Sequence, residues 1–298
     1  MYHKPVLLKE SIEALDIKSN GVYVDVTFGG GGHSKAILEK LDTGRLIAFD
    51  QDSDALANKI EDKRFTLVNK NFKYLTQFLK FYNAIPVDGV LADLGVSSHQ
   101  FDTANRGFST RFSGKLDMRM DSREEVTALD VISNYDEKDL KQLFSAYGEI
   151  RNAKTLARAI VSAREQHPVK TTDDLKRITA TCCSSSQINH YNACVFQALR
   201  IEVNRELESL MELLSQCAEV IKSGGRLVVL SYHSLEDRLV KNFISKGNFD
   251  NEDRKDIYGN SVGIQFKAVY KKPVTPSAIE IEQNPRSRSV KLRAAIKI

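Results

Sequence analysis

Four consecutive glycines, Gly29 to Gly32, follow an apolar segment that contains an acid, Asp25. Glycine tolerates positive φ and lets the backbone approach a ligand, and the amides that open a following helix are free donors. A second apolar segment, Arg45–Phe49, ends in Asp50, about twenty residues later, where nucleotide-binding folds place a carboxylate on ribose hydroxyls. The pattern predicts a cofactor cradle, although a plain tight turn also accommodates such glycines.

A third acid, Asp93, stands at the end of the apolar segment Val87–Leu94. In open α/β sheets, ligands bind beyond the carboxyl ends of the strands, so Asp25, Asp50 and Asp93 are expected to converge on one crevice. Any one of these acids could simply cap a strand end. Three in register favour a binding site.

Two cofactor classes fit this cradle poorly. A phosphate-binding loop needs a Gly-Lys-Ser/Thr tripeptide, whereas residues 32–34 have histidine in place of lysine. A dinucleotide site accepts the glycines and Asp50, but its third small position is Ser34. Asp25, at the end of the first strand, would also repel an anionic pyrophosphate.

S-adenosylmethionine fits better, because it carries a sulfonium and an ammonium group. An acid before the turn, Asp25, suits this cationic tail, and an acid after the second strand, Asp50, suits its ribose. The segment is close to the Asp/Glu-x-Gly-x-Gly-x-Gly motif of methyltransferases, with Thr27 replacing the first glycine. The residues therefore favour a methyl-donor site.

The surrounding pattern alternates strands and helices and predicts a mostly parallel α/β sheet. The predicted strands after the first are Arg45–Phe49, Phe65–Val68, Val87–Leu94 and Arg226–Ser231, with edge strands near Ile264–Tyr270 and Ala294–Ile298. The predicted helices between them are Lys35–Leu41, Ser53–Glu61, Tyr74–Tyr82 and a long helix Leu199–Lys222 ended by Gly224-Gly225.

The alternation stops between residues 103 and 197, which predicts an inserted helical domain. Its expected helices are Asp136–Ala146, Ala153–Glu165 and Thr172–Thr181, the last capped by Thr171 or Thr172. The remaining segments, 1–102 and 198–298, would form the cofactor-binding domain. Farther on, Ser234 begins a Ser-x-x-Asp pattern and is expected to cap a helix rather than act as a nucleophile.

Composition limits the class of protein. The 298 residues are 42% hydrophobic, enough for one or two domains, without an apolar run long enough to cross a bilayer or a signal-peptide core. A cytosolic location is expected. The four cysteines form no Cys-x-x-Cys pair, which disfavours a zinc site or disulfide framework.

The net charge of +4 is too small to identify a nucleic-acid-binding protein, but its distribution is uneven. From Lys267 to Ile298 there are eight Lys or Arg against two Glu. Arg286 and Arg288 lie there in a segment containing Pro and Ser, where they could face phosphates. A solvated basic edge is the alternative explanation.

Several longer blocks resemble the bacterial small-subunit rRNA cytosine-N4 methyltransferases, the RsmH or MraW family, and the resemblance covers nearly the whole chain. Besides the glycine turn, the blocks are His3–Glu10, Asp93–Ser98, Arg106–Ser109, Leu116–Asp121, Phe196–Asn204, His233–Arg238 and Asn284–Ser289. The chain departs from the family pattern at Val26, Lys115, Tyr232 (usually Phe) and Cys194 (usually Arg).

The resemblance implies a Rossmann-like class I methyltransferase domain interrupted by a helical domain, with S-adenosyl-L-methionine as cofactor. It also implies methyl transfer to the exocyclic N4 of one cytosine in the decoding region of 16S rRNA, within the small ribosomal subunit. The cofactor contacts carried over from the family are Gly31, Gly32, His33, Asp50, Phe72, Asp93 and Gln100.

The expected reaction needs an acceptor for the amine, for which Asp93 or the carbonyls of residues 94–96 are candidates, and no metal. Substrate contacts are expected from side chains beyond the strands or in basic or aromatic segments: Phe108, Phe112, Tyr232, His233, Arg286 and Arg288. His233 could equally be structural, and Asp117, Arg119 and Asp121 could form either a salt-bridge cluster or a substrate lid. A homo-oligomer, a nucleotide-dependent oxidoreductase and an RNA-binding assembly factor remain open.

Overall fold

The computed structural model describes residues 5–256 and 262–298. The chain divides into two compact units, one formed by Met1–Gly95 with Leu207–Ile298 and the other by Val96–Glu206. The expected insertion, 103–197, falls inside the second unit. His3 and Lys4 of the first family block lie outside the described residues.

The first unit is built on a seven-stranded sheet in the order β3-β2-β1-β4-β5-β7-β6. Its strands are β1 Val22–Asp25, β2 Arg45–Phe49, β3 Phe65–Val68, β4 Val87–Asp93, β5 Ile221–Ser231, β6 Phe266–Ala268 and β7 Lys291–Lys297. β1 to β5 run parallel, whereas β7 pairs antiparallel with both β5 and β6. The strand order reverses at β1, which has β2 on one side and β4 on the other, and this is where α/β sheets bind ligands.

Alternating apolar side chains bury both faces of this sheet. In β4, Val90 and Ala92 belong to one hydrophobic cluster and Leu91 to another, and in β5, Val229 and Leu230 divide in the same way. Helices and loops therefore cover the sheet on both sides, so polar chemistry is confined to the strand ends. The fold is the expected α/β Rossmann-like one.

The predicted bounds of β2 and β3 are confirmed. The glycine pair Gly224-Gly225 was misplaced, because it does not end a helix but lies inside β5. Gly224 has φ +78°, and the register between β4 and β5 shifts between Val87 and Gly89. The pair therefore forms an irregularity at the start of β5.

The α-helices of the first unit pack around the sheet, together with short 3-10 segments. They are α1 Leu8–Leu15, α2 Gly32–Leu38, α3 Leu75–Phe81, α10 Glu206–Val220, α11 Ser234–Lys246 and α12 Ala278–Gln283. The predicted helix Ser53–Glu61 is instead a 3-10 segment, Ser53–Asn58, that begins where the Asp52 side chain accepts from Asp54 N.

The second unit consists of helices around its own apolar core. They are α4 Ser98–Asp102, α5 Ala128–Asn134, α6 Glu137–Ala146, α7 Ala153–Gln166, α8 Thr172–Ala180 and α9 Ile188–Asn204. Of the two expected caps, Thr171 is the one that caps α8, through a capping box with Asp174. Leu140, Phe144 and Leu156 are fully buried in the core.

The predicted long helix Leu199–Lys222 is wrong, because the structure has two helices there, α9 and α10. The break falls at Arg205, whose φ of +48° a right-handed helix cannot contain. The preceding Asn204 turns its amide to the loop, donating to Met118 O and accepting from Met120 N. The hydrogen bonds of Asn204 to this loop thus accompany the end of α9.

Candidate active site

Asp25 ends β1 and is completely buried. Its carboxylate accepts from Ser34 Oγ at 2.7 Å and from Thr27 N at 3.1 Å. Burial raises its pKa, an effect that nearby His33 and these hydrogen bonds oppose. Asp25 therefore ties the glycine turn to α2, and a role for its charge toward a cationic cofactor tail stays a prediction.

Asp50 follows β2, and both of its carboxylate oxygens already accept from the backbone. Oδ2 accepts from Gly29 N at 2.7 Å, and Oδ1 accepts from Asp52 N at 2.9 Å. Burial raises its pKa to about 6, against the lowering effect of these two donors. A carboxylate oxygen has more than one lone pair, so Asp50 can orient the glycine turn and still accept from a ligand hydroxyl.

Asp93 ends β4, and its side chain is 21% exposed, so that a substrate group can reach it. Its Oδ1 accepts from the Tyr232 hydroxyl at 2.8 Å, and its backbone N–H donates to Thr27 Oγ1 at 2.6 Å. Oδ2 lies 3.6 Å from His33 Nδ1. Burial raises the pKa of Asp93, and His33 and Tyr232 partly offset this.

The three acids influence one another electrostatically. The charge of Asp25 raises the pKa of both Asp50 and Asp93. They therefore lie at the same edge of the sheet, as expected from the carboxyl ends of neighbouring parallel strands. Of the three, Asp93 has its carboxylate both reachable and held by a side-chain donor.

His33 is the second residue of α2 and is 5% exposed. Its Nε2 has no hydrogen-bond partner among the described residues. In the same turn, Gly29 has φ +50°, and the nearest atom to its Cβ position is Thr27 O at 4.0 Å, so a ligand can approach its backbone closely. The unpartnered ring nitrogen of His33 can hydrogen-bond to a ligand, and Gly29 leaves room for that ligand. Both features suit S-adenosylmethionine, which carries polar groups.

Two further glycines of the turn, Gly31 and Gly32, are required by packing. A Cβ on Gly31, whose φ is +76°, would lie 3.0 Å from the Phe28 ring. A Cβ on Gly32 would lie 2.1 Å from Pro5 Cγ, which is a clash. The absence of a side chain at these two glycines therefore lets the turn pack closely against Phe28 and Pro5.

Two further residues expected at the cofactor lie in different units. Phe72 begins the 3-10 segment Phe72–Tyr74 and packs, partly buried, against the core of the first unit. Gln100 belongs to the second unit, where it is buried in α4. Its amide oxygen accepts from Ser97 N and so completes the capping box of that helix.

The three aromatic residues proposed to stack on the target base differ in how exposed their side chains are. Phe108 is only 4% exposed within the core of the second unit, with Arg106 5.9 Å from its ring centroid, so we do not retain it for stacking. Phe112 is 43% exposed. Tyr232 is partly buried in the first unit, with its hydroxyl engaged by Asp93.

His233 and Ser234 begin α11. Ser234 is the first helical residue, and the N-cap position that it was expected to take belongs to His233, which makes no side-chain capping bond. The His233 side chain is 8% exposed, and its Nε2 lies 3.2 Å from Glu236 Oε1. The other carboxylate oxygen of Glu236 accepts from Tyr232 N at 2.8 Å. His233 is thus enclosed beside the residues that hold Tyr232.

The basic carboxyl-terminal segment is only partly free for a ligand. Lys291 and Arg293 on β7 bind Asp237, at 3.0 and 2.6 Å, which neutralises much of their charge locally. Arg286 and Arg288 lie in the 3-10 segment Pro285–Ser289, and Arg288 is exposed. Arg288 therefore presents its charge to solvent.

The acidic and basic residues near position 119 form an internal cluster. Arg119 makes a two-point contact with Asp117, through Nε at 2.8 Å and Nη2 at 2.7 Å, and its Nη1 donates to Glu124 O at 2.6 Å. Arg106 donates to the carbonyl of Met120 at 3.1 Å. These contacts show the salt-bridge cluster that the sequence suggested, and the substrate lid stays a prediction.

The model of the MraW methylase family matches residues 1–298, the full chain. The chain belongs to the MraW methylase family. It is 55% identical over 298 residues to "Ribosomal RNA small subunit methyltransferase H" of Christiangramia forsetii, covering 100% of this chain and 98% of that protein. The protein of the same name from Flavobacterium johnsoniae is 53% identical, with the same coverage.

A solved rRNA methylase from Streptococcus thermophilus aligns with 98% of this MraW-family chain and 93% of its own, with 11% identity and a TM-score of 0.43. That similarity is too distant to add to the assignment. Membership of the family makes the chain a methyltransferase that uses S-adenosylmethionine as methyl donor. Among the described residues, no helix combines the length and hydropathy required for a transmembrane span.

Two residues of this MraW-family site were missed by sequence reasoning. Thr27 was noted only as a departure from a glycine motif, yet its hydroxyl accepts from Asp93 N and its amide binds Asp25. Ser34 was treated as a mismatch to a dinucleotide fingerprint, yet it is the closest donor to Asp25. A hydroxyl residue beside a buried acid was the available signal.

Proposed function

We propose that this chain transfers a methyl group from S-adenosylmethionine to the exocyclic N4 of one cytosine in the decoding region of 16S rRNA. The observation that carries the proposal is full-length similarity, above 50% identity, to relatives named ribosomal RNA small subunit methyltransferase H. It is supported by the reachable acid, Asp93, at the point of the sheet where ligands bind.

The amino group of cytosine is a weak nucleophile, because its lone pair is delocalised into the ring. S-adenosylmethionine supplies an electrophilic methyl group on its sulfonium. The protein must hold N4 in line with that methyl, and such positioning contributes about 7–11 kcal/mol to catalysis. Asp93 does this by accepting a hydrogen bond from an N–H of the amino group, which orients the nitrogen lone pair toward the methyl donor.

Asp93 also provides the destination for a proton. Attack by N4 leaves a positively charged nitrogen, and a carboxylate beside it stabilises that charge and accepts the N–H proton. The raised pKa of Asp93 makes it a better base than an ordinary aspartate. No other group needs to change its protonation state for the transfer.

The cofactor is assigned to the turn and strand ends of the first unit, and Gln100 is kept in the set as the contact that the family resemblance implies. Its proposed contacts are Gly31, Gly32, His33, Asp50, Phe72, Asp93 and Gln100. Within this set, His33 Nε2 offers an unpartnered buried nitrogen and Asp50 a carboxylate for hydroxyl donors. Gly31 and Gly32 act through the backbone of the turn.

Recognition of RNA is assigned to the second unit and to the exposed Arg288, with Arg286 beside it. The target base must be unpaired or flipped out, because a stacked base cannot reach an enclosed methyl group. Phe112 is the exposed aromatic candidate for stacking on it. The expected setting is the cytoplasm, with the small ribosomal subunit as substrate.

The test is transfer of labelled methyl from S-adenosylmethionine to 30S subunits from cells that lack this modification. Label is expected in 16S rRNA of these subunits and not in fully modified 30S subunits or in 50S subunits. Absence of label from both 30S subunits and naked 16S rRNA, with cofactor binding shown by calorimetry, would contradict the proposal and support an RNA-binding assembly factor. Tight binding of a dinucleotide in place of S-adenosylmethionine would support the oxidoreductase alternative.

A further inference from the structure

The Tyr232 side chain is fixed in front of Asp93 by the geometry of two neighbouring strands. Leu230 of β5 pairs with Asp93 of β4, and Tyr232 follows two residues later. Its backbone N–H donates to Glu236 Oε2 at 2.8 Å, which anchors the chain at this point. The ring has little freedom to leave, because it also packs against the turn after β4.

The packing of the Tyr232 ring explains why residue 95 is a glycine. Gly95 has φ +97°, and a Cβ at this position would lie 3.3 Å from Tyr232 Cδ2. The ring therefore lies directly over the backbone that follows Asp93. From there the hydroxyl reaches Asp93 Oδ1 at 2.8 Å, a normal distance for a donor to a carboxylate.

The two oxygens of Asp93 are consequently not equivalent. Oδ1 has the Tyr232 hydroxyl, whereas Oδ2 lies 3.6 Å from His33 Nδ1, beyond normal hydrogen-bond distance. We infer that Tyr232 is a positioning residue that holds Oδ1 and leaves Oδ2 as the oxygen that accepts from the substrate amine. This inference rests on the proposed function, in which Asp93 accepts from N4.

The same hydrogen bond favours the ionised form of Asp93. Four groups from different elements face this carboxyl: Asp25 at the end of β1, His33 on α2, Tyr232 after β5 and Glu236 on α11. The two acids and burial raise the pKa of Asp93, whereas His33 and Tyr232 lower it. The phenol itself remains the donor, since burial and Asp93 raise its own pKa well above the ordinary value.

The test replaces Tyr232 with phenylalanine, which keeps the ring over Gly95 and removes only the hydroxyl. Tyr82→Phe is the matched control, because Tyr82 lies at the end of α3, where its carbonyl accepts from Arg45 at the amino end of β2. The first readout is the titration of the Asp93 carboxyl by ¹³C NMR on the full chain, assigned with Asp93→Asn. The second is kcat against pH with 30S subunits and saturating S-adenosylmethionine.

In Tyr232→Phe, the Asp93 midpoint is expected to rise by about one pH unit, and kcat on the acid side of the profile to fall about tenfold, recovering as pH rises. Tyr82→Phe should match the wild type in both. An Asp93 midpoint unchanged in Tyr232→Phe would overturn the inference, as would a loss of kcat that is equal at every pH.

Failure of the proposed function would look different. In that case the wild type itself would transfer no methyl to 30S subunits, while the NMR titration would still report whether Tyr232 controls Asp93. The carboxyl titration therefore tests the hydrogen bond in either case, and the pH profile tests its use in the reaction.

Discussion

At the scale of single residues, the acids of the site have separate tasks that their positions in the sequence do not distinguish. Asp25 is enclosed and bound by Ser34 and Thr27, so it supports the turn. Asp50 binds two backbone amides and is poised to titrate in the mildly acidic range. Asp93 is reachable from outside. Although all three acids stand at strand ends, Asp25 is structural, Asp50 is partly engaged by the backbone, and Asp93 is the candidate for catalysis.

Asp50 leads to a prediction about pH. Its pKa rises from 3.8 to about 6, so the free protein changes from Asp50 neutral to Asp50 ionised around pH 6. Hydroxyl donors of the cofactor prefer the ionised carboxylate, so affinity for S-adenosylmethionine should increase from pH 5 to pH 7 and then level off. Asp50→Asn should remove the component of this rise centred near pH 6 and weaken binding about tenfold or more at pH 7.5, measured by calorimetry.

The same shift has a consequence for stability with a definite sign. The folded state binds more protons at Asp50 than the unfolded state between pH 3.8 and about 6. The contribution of Asp50 to the free energy of unfolding therefore decreases as pH rises through that window. Asp50→Asn should lack this decrease, and identical pH dependence in the variant and the wild type would contradict the assignment of the pKa.

At the scale of elements, the turn between β1 and α2 positions the site, and its Gly31 can be compared with Gly224 of β5, where glycine is needed for a different reason. Gly31 is constrained both by its φ of +76° and by the Phe28 ring at 3.0 Å from its Cβ position. Gly224 in β5 has a similar φ of +78° with nothing within 4 Å. A side chain at Gly224 would thus meet only backbone strain, whereas one at Gly31 would meet backbone strain and a steric contact.

This difference gives a paired prediction. Gly224→Ala should cost about 1–2 kcal/mol of unfolding free energy from the left-handed backbone alone and leave cofactor affinity unchanged. Gly31→Ala should cost more and also weaken S-adenosylmethionine binding, because Phe28 or the turn must move. Urea unfolding and calorimetry check both. Equal stability loss with unaltered binding in Gly31→Ala would contradict the role given to the turn.

Much of the element order was predictable, because it depends on local patterns. Apolar runs bounded by turn residues defined β2 and β3 at their observed bounds, and the threonines at 171 and 172 indicated the start of α8 to within one residue. The break at Arg205 was not predictable, because it depends on the Asn204 amide binding a loop more than 80 residues away. Apolar periodicity continues through such a break without a local sign.

The site was predictable to a different degree. The convergence of the three acids follows from strand order alone, so the sequence was enough for it. Burial was not, because exposure depends on tertiary packing: Asp25 and Phe108 both proved enclosed. The contact of Tyr232 with Asp93 joins residues 139 apart in sequence, and nothing local indicates it.

At the scale of the whole molecule, two compact units divide the proposed work between cofactor chemistry and RNA recognition. The net charge of +4 is modest, so affinity for RNA must depend on where unneutralised cations lie. Lys291 and Arg293 are bound to Asp237, whereas Arg288 is exposed in its 3-10 segment. The carboxyl-terminal segment thus contributes fewer available charges than its composition suggests.

Arg288→Ala should therefore weaken binding to 30S subunits and reduce the slope of log K against log salt by about one, as expected for one phosphate contact. Lys80→Ala, which removes an exposed charge on α3, is the matched control and should change neither quantity. Filter binding between about 50 and 200 mM salt measures both. Equal effects of the two substitutions would show that Arg288 contributes only to the overall charge.

The most direct test of the account is the identity of the methylated nucleoside. 30S subunits lacking the modification would be treated with S-adenosylmethionine and either wild type or Asp93→Asn, and the digested 16S rRNA analysed by mass spectrometry. With S-adenosylmethionine held at saturation for each protein, because Asp93 is also a proposed cofactor contact, the account predicts N4-methylcytidine at a single site with the wild type and at least about a hundredfold less with Asp93→Asn, which offers no carboxylate. Methylation at carbon or at another base, or full activity of Asp93→Asn, would contradict it.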